Sequence, residues 1–168
     1  LLDHEPAALP ALRRLVALTD ETPVVQQGWL RALISRLGSG GEKRSAELQL
    51  ARSLRHAGDQ EENRAEARSL YESVLEHAPG HRAALTELSE LLIEAKDHDG
   101  GFETLSRLRS ELTDEAARVR LTARLAQLAL AMGDSEREIA LLQQLDADAR
   151  AGHHLDEQLE AAFRRSED

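Results

Sequence analysis

The sequence predicts an all-α fold. Hydrophobic residues make up 41% of the 168 residues but aromatic residues only 2%, so the core has to be built from Leu, Ala, Val and Ile. That mixture favours helices over sheets. The apolar residues also recur at helical spacing along most of the chain. A chain of this length can bury a continuous core, and we expect one domain over residues 1–168.

The first two predicted helices form a hairpin over residues 6–38. Apolar residues from Leu9 to Val16 recur at helical spacing after a proline, which suits the first turn of a helix. Thr22 and Pro23 predict the start of a second helix, with Thr22 as the N-cap and Pro23 at the first helical position. This second helix is expected to end before a glycine-rich loop.

A third helix is predicted from about Glu42 to Ala57, and its inward residues are Leu48, Leu50, Ala51 and Leu54. The fourth helix contains the stretch 67–79, in which the apolar residues fall on one stripe. Pro79 ends this helix, because the residue before a proline is pushed out of the α region. These two helices form the second predicted hairpin.

Five further helices follow in the sequence. One starts near Arg82 and a shorter one near Phe102; Thr113 is the expected N-cap of a long helix, and another helix begins at Ser135. A closing helix over 154–165 is predicted by the apolar residues Leu155, Leu159 and Phe163. The chain is therefore expected to have nine helices and no strand.

The spacing of Ala67, Tyr71, Val74 and Pro79 resembles the second helix of a tetratricopeptide repeat. The family pattern fits degenerate repeats of the bacterial type over 44–80, 82–115 and 116–150, after the degenerate hairpin 6–38. The units start near residues 6, 44, 82 and 119, at an almost constant spacing. The resemblance implies stacked hairpins in a right-handed superhelix. Many signature positions lack the family residue, so an unrelated α-solenoid of similar period is the alternative.

In the family, the first helix of each repeat lines a concave groove that binds a peptide or a partner domain. Carried over to this sequence, the groove residues are Gln49, Arg52, Arg55, Thr86, Glu87, Glu90, Glu94, Arg120, Arg124 and Gln127. Arg120 and Arg124 lie four apart on one helical face, a spacing that suits a carboxylate. The alternative is that the Arg and Glu residues form intramolecular ion pairs on a solvated face.

The resemblance implies a non-catalytic scaffold for protein–protein interaction. Two alternatives stay open. The chain opens on Leu1 rather than Met, so we expect it to be a piece of a longer protein, where it could be a regulatory or substrate-docking module of a multidomain enzyme. It could also be a self-assembly module that stacks through its closing helix.

Composition disfavours several other functions. A net charge of −10 disfavours nucleic-acid partners, and the absence of cysteine excludes disulfides and thiolate chemistry. No apolar run is long enough to insert into a membrane. The seven histidines form no metal-ligand motif, and GSGGEKRS lacks the residues of a phosphate loop. We expect no cofactor, no metal and no active site, and a cytoplasmic protein.

Overall fold

The chain is α-helical throughout the part that the structure describes. The structure is a computed structural model and describes residues 8–19, 22–57 and 60–148. Those residues form eight helices and no strand: α1 (Ala8–Leu18), α2 (Pro23–Ile34), α3 (Gly41–His56), α4 (Glu61–His77), α5 (Arg82–Glu94), α6 (His98–Ser110), α7 (Glu115–Met132) and α8 (135–148). The predicted all-α fold is confirmed, and the predicted closing helix over 154–165 lies outside the described residues.

The chain divides into two compact units, one up to Leu91 and one from Leu92 onward. In the first unit, α1 packs on α2, α2 on α3, and α3 on α4. In the second unit, α6 packs on α7. The organisation of residues 1–168 as one domain stays a prediction.

The helices recur with a period of 38 residues. The odd-numbered helices α1, α3, α5 and α7 end 38 residues apart each time, at Leu18, His56, Glu94 and Met132. We call these odd-numbered helices the first helices, and α2, α4, α6 and α8 the second helices. The described helices therefore alternate along the sequence as four successive pairs of a first and a second helix.

The core is aliphatic apart from one tyrosine. Its fully buried members include Leu30, Leu50, Leu54, Leu85, Leu105, Leu125 and Tyr71. All four residues predicted to point inward from α3 are buried. On α4 the predicted stripe is buried at Ala67, Tyr71, Val74 and Leu75, whereas Leu70 is partly exposed. Helical spacing thus predicts the buried faces well.

Two predicted helix caps need correction. Thr22 is the N-cap residue of α2 and Pro23 begins the helix, as predicted, but the Thr22 hydroxyl donates to the carbonyl oxygen of Thr19 at 3.2 Å and makes no capping hydrogen bond. The N-cap of α7 is Asp114 rather than Thr113, because the Asp114 carboxylate accepts a hydrogen bond from the N–H of Ala117 at 2.9 Å. Asp is a better N-cap acceptor than Thr.

Glycine matters at two positions in the second unit. Gly133 ends α7 in the left-handed conformation with φ of 73°, which costs a residue with a side chain about 1–2 kcal/mol. Gly101 lies in α6, and a Cβ atom there would sit 2.7 Å from Cγ1 of Ile93. The close approach of α6 to the end of α5 therefore requires glycine.

Candidate functional site: two first-helix surfaces

In the first unit, the predicted groove residues bind one another. The guanidinium of Arg52 on α3 donates from Nε to both carboxylate oxygens of Glu87 on α5, at 2.9 and 3.0 Å. Arg55, one turn further along α3, forms an ion pair with Glu90 at 3.4 Å. The hydrogen bond with Glu87 raises the pKa of Arg52. These four side chains therefore join α3 to α5, which is the intramolecular pairing that the sequence left open.

Glu87 has a further partner on the helix between them. The hydroxyl of Tyr71 on α4 donates to Oε2 of Glu87 at 3.0 Å, and Tyr71 is fully buried. Burial raises the pKa of Tyr71 well above its ordinary value, and the negative charge of Glu87 raises it further. The carboxylate of Glu87 therefore connects three consecutive helices of the first unit.

Similar hydrogen bonds between side chains join α2 to α4 and α1 to α3. Arg31 on α2 donates to Glu66 on α4 at 2.7 Å, and the Nη2 atom of Arg13 on α1 donates to Glu42 on α3 at 2.8 Å. These hydrogen bonds lower the pKa of Glu66 and of Glu42. In the second unit, Arg109 on α6 donates to Gln144 on α8 at 3.0 Å.

Four of these arginines share one spacing. Arg31, Arg52, Arg55 and Arg109 each reach a partner 35 residues later, three fewer than the period of 38. Helical side chains lean toward the N-terminus of their own helix. A long arginine side chain therefore reaches a residue about one turn before its own equivalent in the next hairpin.

A cavity of about 270 Å³ lies beside the arginine pair of the first unit. It is lined by Gln49, Arg52, Ser53, His56 and Ala57 of α3 and by Pro23 and Gln26 of α2. Gln27 fixes the two helices beside it, because its side-chain amide donates to the hydroxyl of Ser53 at 3.1 Å. Two of the predicted groove residues, Gln49 and Arg52, therefore border an opening in the surface.

Thr86 and Glu94 complete the predicted residues of α5. The Thr86 hydroxyl donates to the carbonyl oxygen of Arg82 at 2.9 Å, so its donor is used within the helix. Glu94 is exposed at the end of α5 and belongs to the second unit.

In the second unit, the predicted residues lie on the exposed face of α7. Arg120 has one ion pair, with Asp114 at 3.8 Å, and both side chains are largely exposed. Within the described part of the chain, Arg124 has neither a hydrogen bond nor an ion pair and is exposed. Gln127 is exposed one turn further on. The arginines of α7 are thus much less engaged than those of α3.

An apolar cavity of about 260 Å³ adjoins this face. Its α7 side is formed by Ala123, Ala126, Gln127 and Leu130, and its α8 side by Glu138, Leu142 and Leu145. We call it the α7/α8 cavity. We define the α7 surface as Arg120, Ala123, Arg124, Gln127 and Leu130, which recur three, four, seven and ten residues after Arg120 and share one helical face. This surface has a basic edge and an apolar edge.

The second unit has another cavity, which is polar, has a volume of about 470 Å³ and was not predicted from the sequence. The Arg137 guanidinium lies 5.1 Å from the centre of the Phe102 ring, within the range of a cation–π contact. Arg137 also pairs with Asp134 at 3.2 Å and with Asp99 at 3.6 Å. A lone phenylalanine among polar residues was the only sequence signal for this contact.

The described residues contain neither a candidate metal site nor a candidate membrane-spanning helix. No group of three or more His, Asp or Glu side chains there could hold a metal ion. None of the helices in that part of the chain has both the length and the apolar content to cross a membrane.

Comparison with known proteins identifies the repeats. The family model described as tetratricopeptide repeat matches residues 60–125, which run from the start of α4 into α7. Among solved structures, the chain is similar to the crystal structure of MamA, with a TM-score of 0.62 and 10% sequence identity over 89% of this chain and 83% of that one. At that identity the similarity concerns the fold. No curated protein matches the chain.

The family-model match over residues 60–125 and the fold similarity to MamA support a tetratricopeptide-repeat protein. Repeats of this family generally mediate protein–protein interactions and are typically non-catalytic. The resemblance inferred from Ala67, Tyr71, Val74 and Pro79 is confirmed.

Proposed function

We propose that this chain is a non-catalytic protein-interaction module that binds a partner through the α7 surface. The proposal rests on which of the predicted binding arginines already have a hydrogen-bond or ion-pair partner. Arg52 is hydrogen-bonded to Glu87, whereas Arg124 has no partner among the described residues and Arg120 only a distant, exposed one. An exposed arginine without a partner can bind an incoming carboxylate without first breaking an internal ion pair.

The chemistry of the α7 surface defines the partner. Arg120 and Arg124 lie four residues apart, so carboxylates spaced by one helical turn, or along an extended peptide, match them. The adjacent cavity is mainly apolar and suits an aliphatic or aromatic side chain. The partner is therefore an acidic protein segment with an apolar anchor. Because the chain as a whole carries a net charge of −10, an acidic segment should be attracted to this local basic edge and repelled elsewhere.

Selection of displayed random peptides on the immobilised chain tests the proposal. We expect enriched peptides to combine Asp or Glu with a large apolar residue. The double variant Arg120→Glu, Arg124→Glu should bind them at least about tenfold more weakly, because hydrogen bonds to charged groups contribute about 1.5–3 kcal/mol each.

A double variant with the same change in charge, Arg14→Glu, Arg36→Glu, is the matched control. Both of these arginines are exposed and lie in the first unit, outside the proposed surface. Equal losses in the two double variants would show that net charge alone governs binding. Peptides that bind both variants as well as the unchanged chain would place the binding site elsewhere.

A further inference from the structure

An aromatic ring on α6 contacts a cation. Phe102 is one of only two phenylalanines in the chain, and it is only partly buried. The Arg137 guanidinium of α8 lies 5.1 Å from the centre of its ring. The face of an aromatic ring carries partial negative charge and attracts cations. The contact with Arg137 therefore shows that the surroundings of this ring suit a guanidinium.

The Phe102 ring lines the polar cavity of about 470 Å³, which we call the α6/α8 cavity. The other residues that line it are Asp99, Glu103 and Ser106 of α6 and Arg137 of α8. The four α6 residues share one helical face, because they recur three, four and seven residues after Asp99. Two carboxylates and one guanidinium line the cavity, so its negative charge is in excess.

The two carboxylates of the α6/α8 cavity differ in what they contact. Asp99 pairs with Arg137 at 3.6 Å, and Arg137 is also paired with Asp134 at 3.2 Å. Within the described part of the chain, Glu103 has neither a hydrogen bond nor an ion pair, and the hydroxyl of Ser106 has no hydrogen bond. A charged acceptor and a hydroxyl are therefore available one turn apart, beside the aromatic ring.

These available groups match an arginine side chain better than a lysine side chain. A guanidinium is planar and stacks on aromatic rings, and its N–H groups bind a carboxylate through two parallel hydrogen bonds. An ammonium group is a compact, strongly hydrated charge on a flexible stem. The α6/α8 cavity offers both an aromatic ring and a carboxylate without a partner, so it favours the guanidinium.

We propose that the α6/α8 cavity is a second interaction site, which binds an arginine side chain of a basic protein segment. The partner's guanidinium pairs with Glu103 beside the Phe102 ring, while Asp99 and Asp134 hold Arg137. The net charge of −10 attracts a basic segment toward the chain. This site fits the opposite charge from the α7 surface and does not depend on the function proposed for that surface.

Titration of the isotope-labelled chain with short peptides, followed by nuclear magnetic resonance, tests the proposal. The probe is the tripeptide acetyl-Gly-Arg-Gly-amide. At a salt concentration of about 0.15 M, where charges more than about 8 Å apart are largely screened, it should shift the backbone amide signals of Phe102, Glu103 and Ser106 until they saturate. The same peptide with lysine should bind several-fold more weakly. With citrulline, which has nearly the shape of arginine but no charge, it should cause no shift.

Glu103→Gln removes the charge of the available carboxylate with little change of shape, and it should weaken binding of the arginine peptide several-fold. Glu136→Gln is the matched control, because Glu136 is exposed and adjacent to Arg137 in sequence but does not line the cavity. This control should leave the affinity unchanged. Equal losses in the two variants would overturn the proposal, since net charge alone would then attract the peptide.

The role of the aromatic ring is measured with Phe102→Leu, which keeps an apolar side chain but removes the ring face. We expect it to weaken binding of the arginine peptide several-fold, with the amide signals of α7 unchanged as evidence of an intact fold. Unchanged affinity in this variant, equal binding of the lysine peptide, or saturable shifts only outside the cavity would each overturn the proposal. Failure of acidic peptides to bind the α7 surface would overturn the proposed function and leave this site standing.

Discussion

The first helices of the two units carry arginine pairs that differ in what they contact. On α3, Arg52 is held by Glu87 through three hydrogen bonds, and Arg55 is paired with Glu90. On α7, Arg120 has a single exposed ion pair at 3.8 Å, and Arg124 has no partner among the described residues. Arginines on first helices are therefore paired with a following helix in one unit and lack a close partner among the described residues in the other.

Apolar side chains at equivalent positions also differ. Leu54 in the first unit is fully buried and Leu92, one period later, is buried, whereas Leu130, a further period on, is mostly exposed. Where the ion pairs between successive hairpins are complete, the apolar face beside them is also buried. This difference supports the proposal that a repeat binds a partner where its contacts with the next hairpin are incomplete, rather than at a fixed signature position.

The largest expected effect tests the apolar half of this comparison. Leu92→Ala should destabilise the chain by about 2–5 kcal/mol, because it leaves a cavity in a packed core. Leu130→Ala should cost no more than about 1 kcal/mol, because only a minority of that side chain is removed from water. Urea denaturation followed by circular dichroism measures both. Similar losses would show that the face around Leu130 is packed after all.

The second prediction concerns the carboxylate that joins three helices. Glu87→Ala should cost about 1–3 kcal/mol, because it leaves the buried hydroxyl of Tyr71 without its acceptor. Arg124→Ala removes an exposed side chain without partners and should stay within about 0.5 kcal/mol of the unchanged chain. The same denaturation experiment applies. A loss at Arg124 as large as that at Glu87 would remove the distinction between the paired and the available arginines.

The buried contact between Tyr71 and Glu87 should make the stability of the chain depend on pH in alkaline solution. Burial first, and then the charge of Glu87, raise the pKa of Tyr71, so the folded chain favours the neutral phenol. Its contribution is fully present below the unfolded pKa of about 10 and is lost as the pH rises toward the folded pKa. Tyr71→Phe should cost about 0.5–1.5 kcal/mol at neutral pH and weaken this alkaline loss.

Tyrosinate absorbance measures the titration directly, since Tyr71 is the only tyrosine in the chain. In the folded chain the phenol should ionise well above pH 10, and after Glu87→Ala at a lower pH than in the unchanged chain. Titration near the ordinary value in the folded chain would contradict the buried contact with Glu87.

Helical spacing and helix-ending residues were enough to predict most of the fold. They predict the inward face of α3 and the buried stripe of α4, and the family pattern gives the hairpin order. Helix caps were harder, because Thr113 and Asp114 are adjacent and both cap well. The preference for Asp over Thr is small, and the hydrogen bond from the N–H of Ala117 identifies Asp114 as the cap.

For the candidate site, the sequence predicts individual residues but not which of them pair with one another. Family positions identify Arg52, Glu87, Arg120 and Arg124 as surface residues of first helices. They do not say that Arg52 reaches a residue 35 positions later rather than its equivalent 38 positions later. That offset depends on the lean of the side chain and on how the two helices are staggered, which a single sequence does not contain.

The smallest expected effects separate the two ion pairs themselves. A double-mutant cycle on Arg52→Ala and Glu87→Ala should give a coupling energy of about 0.2–1 kcal/mol, since Arg52 is half exposed and water screens the pair. A cycle on Arg120→Ala and Asp114→Ala should give about zero, because that pair is longer and more exposed. Salt should reduce the first coupling and leave the second unchanged.

Because Asp114 also caps α7, its single variant will lower stability, but the cap is lost with or without Arg120 and cancels in the cycle. A coupling at Arg120 equal to that at Arg52 would mean that the α7 arginines are as engaged as those of α3, and a partner would then have to break an internal pair at both surfaces.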